Sequence, residues 1–178
     1  TADEWVELYN DSDQFLDISG FYLCAPGVEG TCGWKVLVED GEIAPKGTYL
    51  ISNYPKSAKS ILSVEPDLVN NDISLSNSKF LLELRDRNDV VVDVAGDGGM
   101  PFFPQSSKIF NSMQRMSHYG DGKIKSSWEM SSDQINLTEQ GVLEGIMASP
   151  TASGRPKIQN FKILNNICIT DQGGTYNF

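Results

Sequence analysis

The residues of this chain that could act as acids, bases or nucleophiles are few and scattered. His118 is the sole imidazole, and it lies in the loop-like run 116–122. Hydrolysis through a serine or cysteine needs a nucleophile, a base and an orienting group, but no serine stands in a Gly-x-Ser-x-Gly elbow. Glu4 and Glu7 lie on opposite faces of one strand-like run, which does not suit a glycosidase pair. The sequence therefore predicts that the chain is not an enzyme and has no catalytic residues.

Acidic clusters are the candidates for metal binding. Calcium takes six to eight oxygens from one loop, and the run 86–89 has an Arg in place of a ligand and lacks the usual calcium-loop pattern. Asp and Asn are also favoured in turns. We therefore expect turns here, no metal site and no cofactor, with a weak surface calcium site as the alternative in an extracellular setting.

The cysteines leave two alternatives open. The chain has three, and an odd count does not make a disulfide framework. Cys24 and Cys32 bracket a loop rich in Gly and Pro, so they could close a small ring in an oxidising compartment. Two buried free thiols are the alternative, because cysteine packs well as a small hydrophobe.

Length and charge set further limits. The 178 residues fit one domain, or one domain with a tail. The net charge of −10 disfavours direct binding to nucleic acid, because an acidic surface repels phosphate. The sequence contains no apolar run long enough to span a bilayer, so no membrane insertion is predicted, and no signal-peptide pattern stands at residue 1.

Short runs that alternate between apolar and polar residues recur along the chain and are separated by turn residues, which is typical of an all-β fold. A polar cluster at 85–89 between two such runs predicts a hairpin. The only helical signals are one turn at 56–62 and a short irregular helix within 131–143. Residues 96–127 are predicted to form long loops, with a short strand near 109–116. The predicted strand-like runs are 5–9, 15–18, 21–23, 34–38, 48–52, 80–84 and 90–94.

Several of these runs occur in a recognisable order. They are DEWVELYN at 3–10, ISGFYL at 18–23, IAPKGTYLI at 43–51, and a central hairpin at 74–93. SMQR at 112–115 and Trp128 are similar to a late "Ser-hydrophobic-Glu-Arg … Trp" pair, with Gln114 where Glu is usual. In this order and over most of 3–160, the chain resembles the lamin tail domain family. The resemblance implies a two-sheet, immunoglobulin-like β-sandwich in a secreted or cell-surface protein, with no catalytic residues to carry over.

The C-terminal run departs from the family order. Family members usually begin with an extra apolar strand before the Glu-Trp strand, and this sequence starts at Thr1, after that point. The run 161–178, written in front of residue 1, resembles the missing start, so the chain reads as circularly permuted. The run could complete its own sandwich, complete the next subunit, or belong to a tandem array; a closing strand with a loose tail is the alternative. The predicted assembly strand contains Phe161, Ile163, Leu164, Ile167 and Ile169.

The sequence thus predicts a lamin-tail-like sandwich at 1–160 and a completing strand or tail at 161–178. The predicted function is a non-catalytic structural module outside the cell or on its surface, such as a fibre or surface-layer subunit or repeat. Its partners would be other copies of itself or neighbouring domains. The alternative is a monomeric accessory module that binds protein or carbohydrate. Such a module would bind its partner through a contact loop that contains Met100, Phe102 and Phe103, or through an exposed Trp or Tyr platform. Trp5, Trp34 and Trp128, however, are expected in or near the core.

Overall fold

Strands make up nearly all of the regular structure of this protein. The computed structural model describes residues 3–57, 60–103, 110–116, 120–151 and 167–169. Within them lie one short helix, α1 (Glu139–Leu143), and two 3-10 turns, Val28–Gly30 and Lys125–Ser127. The strands, in chain order, are β1 (Trp5–Asn10), β2 (Leu16–Asp17), β3 (Tyr22–Pro26), β4 (Cys32–Leu37), β5 (Glu42–Ile43), β6 (Thr48–Ser52), β7 (Leu68–Val69), β8 (Leu82–Arg85), β9 (Val91–Ala95), β10 (Phe110–Asn111), β11 (Met113–Arg115), β12 (Trp128–Met130), β13 (Ile146–Met147) and β14 (Ile167–Ile169).

Two four-stranded sheets form the body of the fold. The first has the order β14-β1-β6-β7, and the second has the order β4-β3-β8-β9. In the first sheet β1 runs antiparallel to β6 and parallel to β14, whereas every pair of the second sheet is antiparallel. Three two-stranded pairs, β2-β5, β10-β13 and β11-β12, surround them. The all-β prediction is confirmed.

Apolar side chains from both sheets belong to one hydrophobic cluster. This burial of apolar area is the main favourable term in folding, and it draws on the alternating runs that the sequence shows. The members with no exposed surface include Trp5, Val6, Leu8, Leu23, Val36, Leu50, Ile51, Leu82 and Leu84.

The hairpin between β8 and β9 is built as the polar cluster predicts. The Asp86 carboxylate accepts hydrogen bonds from the backbone N–H groups of Asn88 (2.8 Å) and Val90 (2.9 Å). Asp89 adopts a left-handed backbone conformation with φ of 68°, which Asp tolerates better than most residues. The acidic cluster therefore makes the turn.

Helix α1 is short and capped. The Thr138 hydroxyl accepts a hydrogen bond from the Gly141 N–H at 3.3 Å, which satisfies one backbone donor of the first turn. This helix lies inside the predicted range 131–143. Across the described ranges, we find no helix with the length and apolar character needed to cross a bilayer.

Candidate functional site

Strand β1 is buried on both faces, which is unusual for a strand of an antiparallel pair. All six of its residues are buried, including the polar Glu7 and Asn10. Antiparallel strands with one solvent face alternate between buried and exposed residues, and β1 does not. One edge of β1 pairs with β6 and the other with β14.

The edge shared by β1 and β14 holds part of the predicted assembly strand. The register places Leu8 beside Ile167, Tyr9 beside Cys168 and Asn10 beside Ile169. Two predicted assembly residues therefore lie in a strand next to β1. The other three, Phe161, Ile163 and Leu164, lie outside the described residues.

Asn10 fixes the end of β1. Its side-chain amide donates to the carbonyl oxygens of Gln14 (2.7 Å), Ile43 (3.0 Å) and Ala44 (3.1 Å). Its carbonyl oxygen accepts from the Ser12 N–H (3.0 Å) and hydroxyl (2.8 Å). Because Asn10 is buried, these bonds replace water and hold the end of the strand where β14 pairs.

Three carboxylates of the β1 region hold other segments against it. Asp3 accepts from the Ile61 N–H, Glu4 from the Leu75 N–H at 2.9 Å, and Glu7 from the Thr151 N–H at 2.5 Å. Burial raises the pKa values of Asp3 and Glu4, and the hydrogen bonds that they accept act in the opposite direction. These three carboxylates bind backbone N–H groups of three separate segments.

The predicted contact loop is only partly open to solvent. Met100 is 64% exposed. Phe102 and Phe103 are half-buried and pack against the core, and the Lys125 ammonium lies 5.0 Å from the centre of the Phe103 ring. In the structure Met100 is thus the residue of this loop with the most side chain free for a partner.

Cys24 and Cys32 form a disulfide, with their Cα atoms 5.3 Å apart. The bond joins β3 to the start of β4 and closes the loop that contains the Val28–Gly30 turn. Disulfides persist in oxidising compartments, so this bond is compatible with an extracellular setting without deciding it.

Asp93 and Arg115 form a buried ion pair that no pattern in the sequence predicts. Arg115 is 2% exposed, and its guanidinium donates to the Asp93 carboxylate at 2.6 Å. It also donates to the carbonyls of Gly120 (2.6 Å) and Val94 (3.1 Å), and it lies 4.4 Å from the centre of the Trp128 ring. Burial raises the pKa of Asp93 to about 6, although Arg115 acts in the opposite direction.

The pairing of β11 with β12 brings together two residues of this buried group that the sequence motifs also single out. Arg115 and Trp128 are register partners, and so are Gln114 and Glu129. The Gln114 amide donates to the Glu129 carboxylate at 2.8 Å. A Glu at position 114 would instead face a like charge, which is unfavourable between opposed residues.

Other acidic residues of the described part lie in turns. Asp17, Asp97 and Asp121 each accept a hydrogen bond from the backbone N–H two residues on, which is turn chemistry. Among the described residues, no group of three or more His, Cys, Asp or Glu could hold a metal ion. His118 is outside the described residues, so its predicted lack of a catalytic role stays a prediction.

Comparisons of the chain with protein-family models, with curated proteins and with solved structures found no match. The lamin tail resemblance therefore stays a prediction drawn from the motifs. Function has to be argued from the geometry of the strands and side chains above.

Proposed function

We propose that the chain is a non-catalytic structural module of the cell surface or extracellular space, which assembles with copies of itself by strand complementation. In the assembled form, the strand beside β1 is donated by a neighbouring copy. The observation that supports the proposal is that β14 pairs in parallel with β1 along Leu8, Tyr9 and Asn10. In the structure one chain supplies both strands, and in the assembled form the same pairing is exchanged between copies.

The environment of β1 explains why a strand is needed there. The edge of a sheet presents unpaired N–H and C=O groups, and burying such groups without a partner costs about 1–3 kcal/mol each. In the structure β14 covers the edge of β1 that lies opposite β6. A strand in the position of β14 supplies the missing main-chain bonds.

The chain length between the two parts of the fold permits exchange. Residues 152–166 separate Thr151, which bonds to Glu7, from β14. Fully extended, these residues span up to about 50 Å, so the strand can reach β1 of its own copy or of a neighbour. If each copy donates its strand to the next copy in the same direction, the contact is head-to-tail and yields an open fibre.

A disulfide trap tests the proposal with a cysteine that the chain already has. Cys168 is the register partner of Tyr9, and adjacent strands lie about 4.8 Å apart, which is within the Cα separation of a disulfide. Oxidation of the variant Tyr9→Cys is expected to link copies into a ladder of covalent oligomers on a non-reducing gel.

Two matched variants control for unrelated thiol exchange. Tyr9→Cys combined with Cys168→Ser removes the trapping thiol. Tyr49→Cys places a cysteine on β6, the strand on the far side of β1 from β14. Neither is expected to give the ladder. A product that is oxidised but remains a monomer would overturn assembly between copies, because the strand then closes its own sandwich.

A further inference from the structure

A groove of about 430 Å³ opens at one end of the second sheet, between β3 and β8. Its volume falls in the range of about 300–1,000 Å³ that is common for small-molecule sites. The hydrogen-bonded ladder between β3 and β8 ends at Cys24 and Glu83, while β3 continues to Pro26 beside β4. The sheet therefore splits, and the groove lies in the split. Its lining includes Pro26, Gly33, Trp34, Ser74, Lys79 and Leu81.

The split leaves one backbone position on the groove without a strand partner. Both backbone groups of Phe80 bond to the Gly98–Gly99 segment, with the Phe80 N–H donating to Gly99 at 2.7 Å. Successive residues of an extended chain direct these groups to opposite sides, so those of Leu81 point towards β3. The register would next bring Pro26 opposite Leu81, and proline has no N–H to donate. Among the described residues, neither backbone group of Leu81 has a hydrogen-bond partner.

The groove also contains the most exposed tryptophan of the chain. Trp5 and Trp128 are buried at 0% and 3% exposure, whereas Trp34 is only partly buried. A partly exposed indole offers some flat apolar surface and an N–H donor. Next to it lie backbone donors and acceptors and the exposed Ser74. This combination of a flat apolar face and a few fixed polar groups suits a pyranose ring, which has apolar C–H faces and hydroxyl groups at its rim.

The charge of the groove differs from that of the chain. The net charge of the chain is −10, yet no Asp or Glu lines the groove and Lys79 does. Within the described part of the chain, no carboxylate lies within ion-pair distance of the Lys79 ammonium. A ligand that carries a carboxylate would complement this cation.

We infer that the groove is a binding site for an acidic saccharide, that is, a short chain of uronic acid residues. One sugar ring stacks on Trp34, its hydroxyl groups bond to the N–H and C=O of Leu81, and a uronate carboxylate pairs with Lys79. Among the described residues that line the groove, none belongs to β1 or β14, so saccharide binding and strand exchange are tested as separate properties.

The probe is trigalacturonate, with maltotriose as the neutral counterpart, and binding to the full chain is measured by calorimetry and tryptophan fluorescence. Because Trp5 and Trp128 are buried, a change in emission reports on Trp34. Trigalacturonate is expected to bind up to about fivefold more tightly than maltotriose, since an exposed charge pair contributes up to about 1 kcal/mol. No heat with trigalacturonate would overturn the inference, and so would equal affinity for maltotriose.

Substitutions in the groove separate this site from binding elsewhere. Trp34→Ala is expected to weaken trigalacturonate binding at least about tenfold. Lys79→Glu alters only an exposed residue, so its effect does not depend on refolding of the core, and it is expected to abolish the preference for the acidic sugar. Phe15→Ala and Lys56→Glu change an exposed aromatic residue and an exposed lysine outside the groove. If all four variants bind like the unmodified chain, the groove is not the site.

Discussion

Arg115 is the charged side chain on which the packing of β9, β11 and β12 depends. It is fully enclosed, and its partners come from β9 and from the segment that precedes β12. Gly122 lets the chain approach closely, because a Cβ there would overlap the Val94 carbonyl and the guanidinium. The Trp128 indole donates to the Gly122 carbonyl at 2.9 Å. The cluster thus joins three segments through one cation.

We expect Arg115→Met to lower the free energy of unfolding by roughly 3–5 kcal/mol, because it leaves the Asp93 carboxylate buried without its cation. Urea unfolding at neutral pH measures the change. Lys123→Met, which removes an exposed cation of the same segment, is the control and is expected to cost within about 0.5 kcal/mol. A loss for Arg115→Met as small as that of the control would mean that the ion pair contributes nothing.

The pKa of Asp93 gives a second prediction. Its value of about 6 in the folded protein is above the ordinary value of 3.8, so between these pH values the folded state binds more protons than the unfolded chain. Its contribution to the free energy of unfolding therefore falls as the pH rises through this window and is constant above it. The stability difference between the unmodified chain and Asp93→Asn should be larger near pH 4 than near pH 7.

Denaturant unfolding of both proteins across that window measures the difference, and an NMR titration of the Asp93 carboxyl provides the control on its pKa. A difference that grows with pH would show instead that Arg115 lowers the pKa of Asp93 below its ordinary value.

How far the sequence predicts this cluster differs from residue to residue. The resemblance of 112–115 and Trp128 to a known motif pair selects Arg115 and Trp128, which the structure makes register partners. Nothing in the sequence selects Asp93 as the third member. It reads there as one polar residue of an alternating strand, and only the approach of β9 to the segment at 120–122 makes it the counter-ion.

At the level of elements, the end of β9 shows why local patterns are not enough. Gly96 and Gly98 both have φ of +87° and read alike in the sequence as parts of a glycine-rich loop. A Cβ at Gly98 would meet nothing within 4 Å, whereas one at Gly96 would overlap the Phe80 carbonyl and ring. Gly96 is therefore needed for packing as well as for backbone conformation.

This pair of glycines makes a matched test. Gly98→Ala is expected to cost about 1–2 kcal/mol through its left-handed backbone alone. Gly96→Ala is expected to cost about 1–3 kcal/mol more, because the methyl group also overpacks the contact with Phe80. Thermal and urea unfolding measure both values. Equal costs would show that Phe80 moves aside and that the tight contact is not a constraint.

The elements with strong local signals are those that the sequence predicts. The hairpin of β8 and β9 follows from a polar turn between alternating runs, and α1 falls inside its predicted range. β2 and β10 fall within the predicted runs 15–18 and 109–116. Their two-residue partners β5 and β13 are too short to show alternation and were not predicted. The splitting of the sheet at Pro26 was not predicted either, because it depends on which strand β8 pairs with. The groove beside Trp34 is a consequence of that split.

At the scale of the whole molecule, assembly depends on which copy supplies the strand that completes the first sheet. The alternation of 161–170 predicts a strand but cannot show which copy supplies its partner. The structure places Ile167–Ile169 of the same chain beside β1. Asn10 and Glu7 bind the segments around β1 through hydrogen bonds to the backbone of Ile43 and Thr151.

The measurement that tests strand exchange most directly is sedimentation of the full chain over a range of concentrations. We expect species at multiples of 19.6 kDa that grow with concentration. The variant Cys168→Pro, which removes an N–H and fixes φ within β14, should remain a monomer, while the control Cys168→Ser should assemble like the unmodified chain. If the unmodified chain stays at 19.6 kDa at every concentration, the strand serves only its own sandwich and the assembly function is wrong.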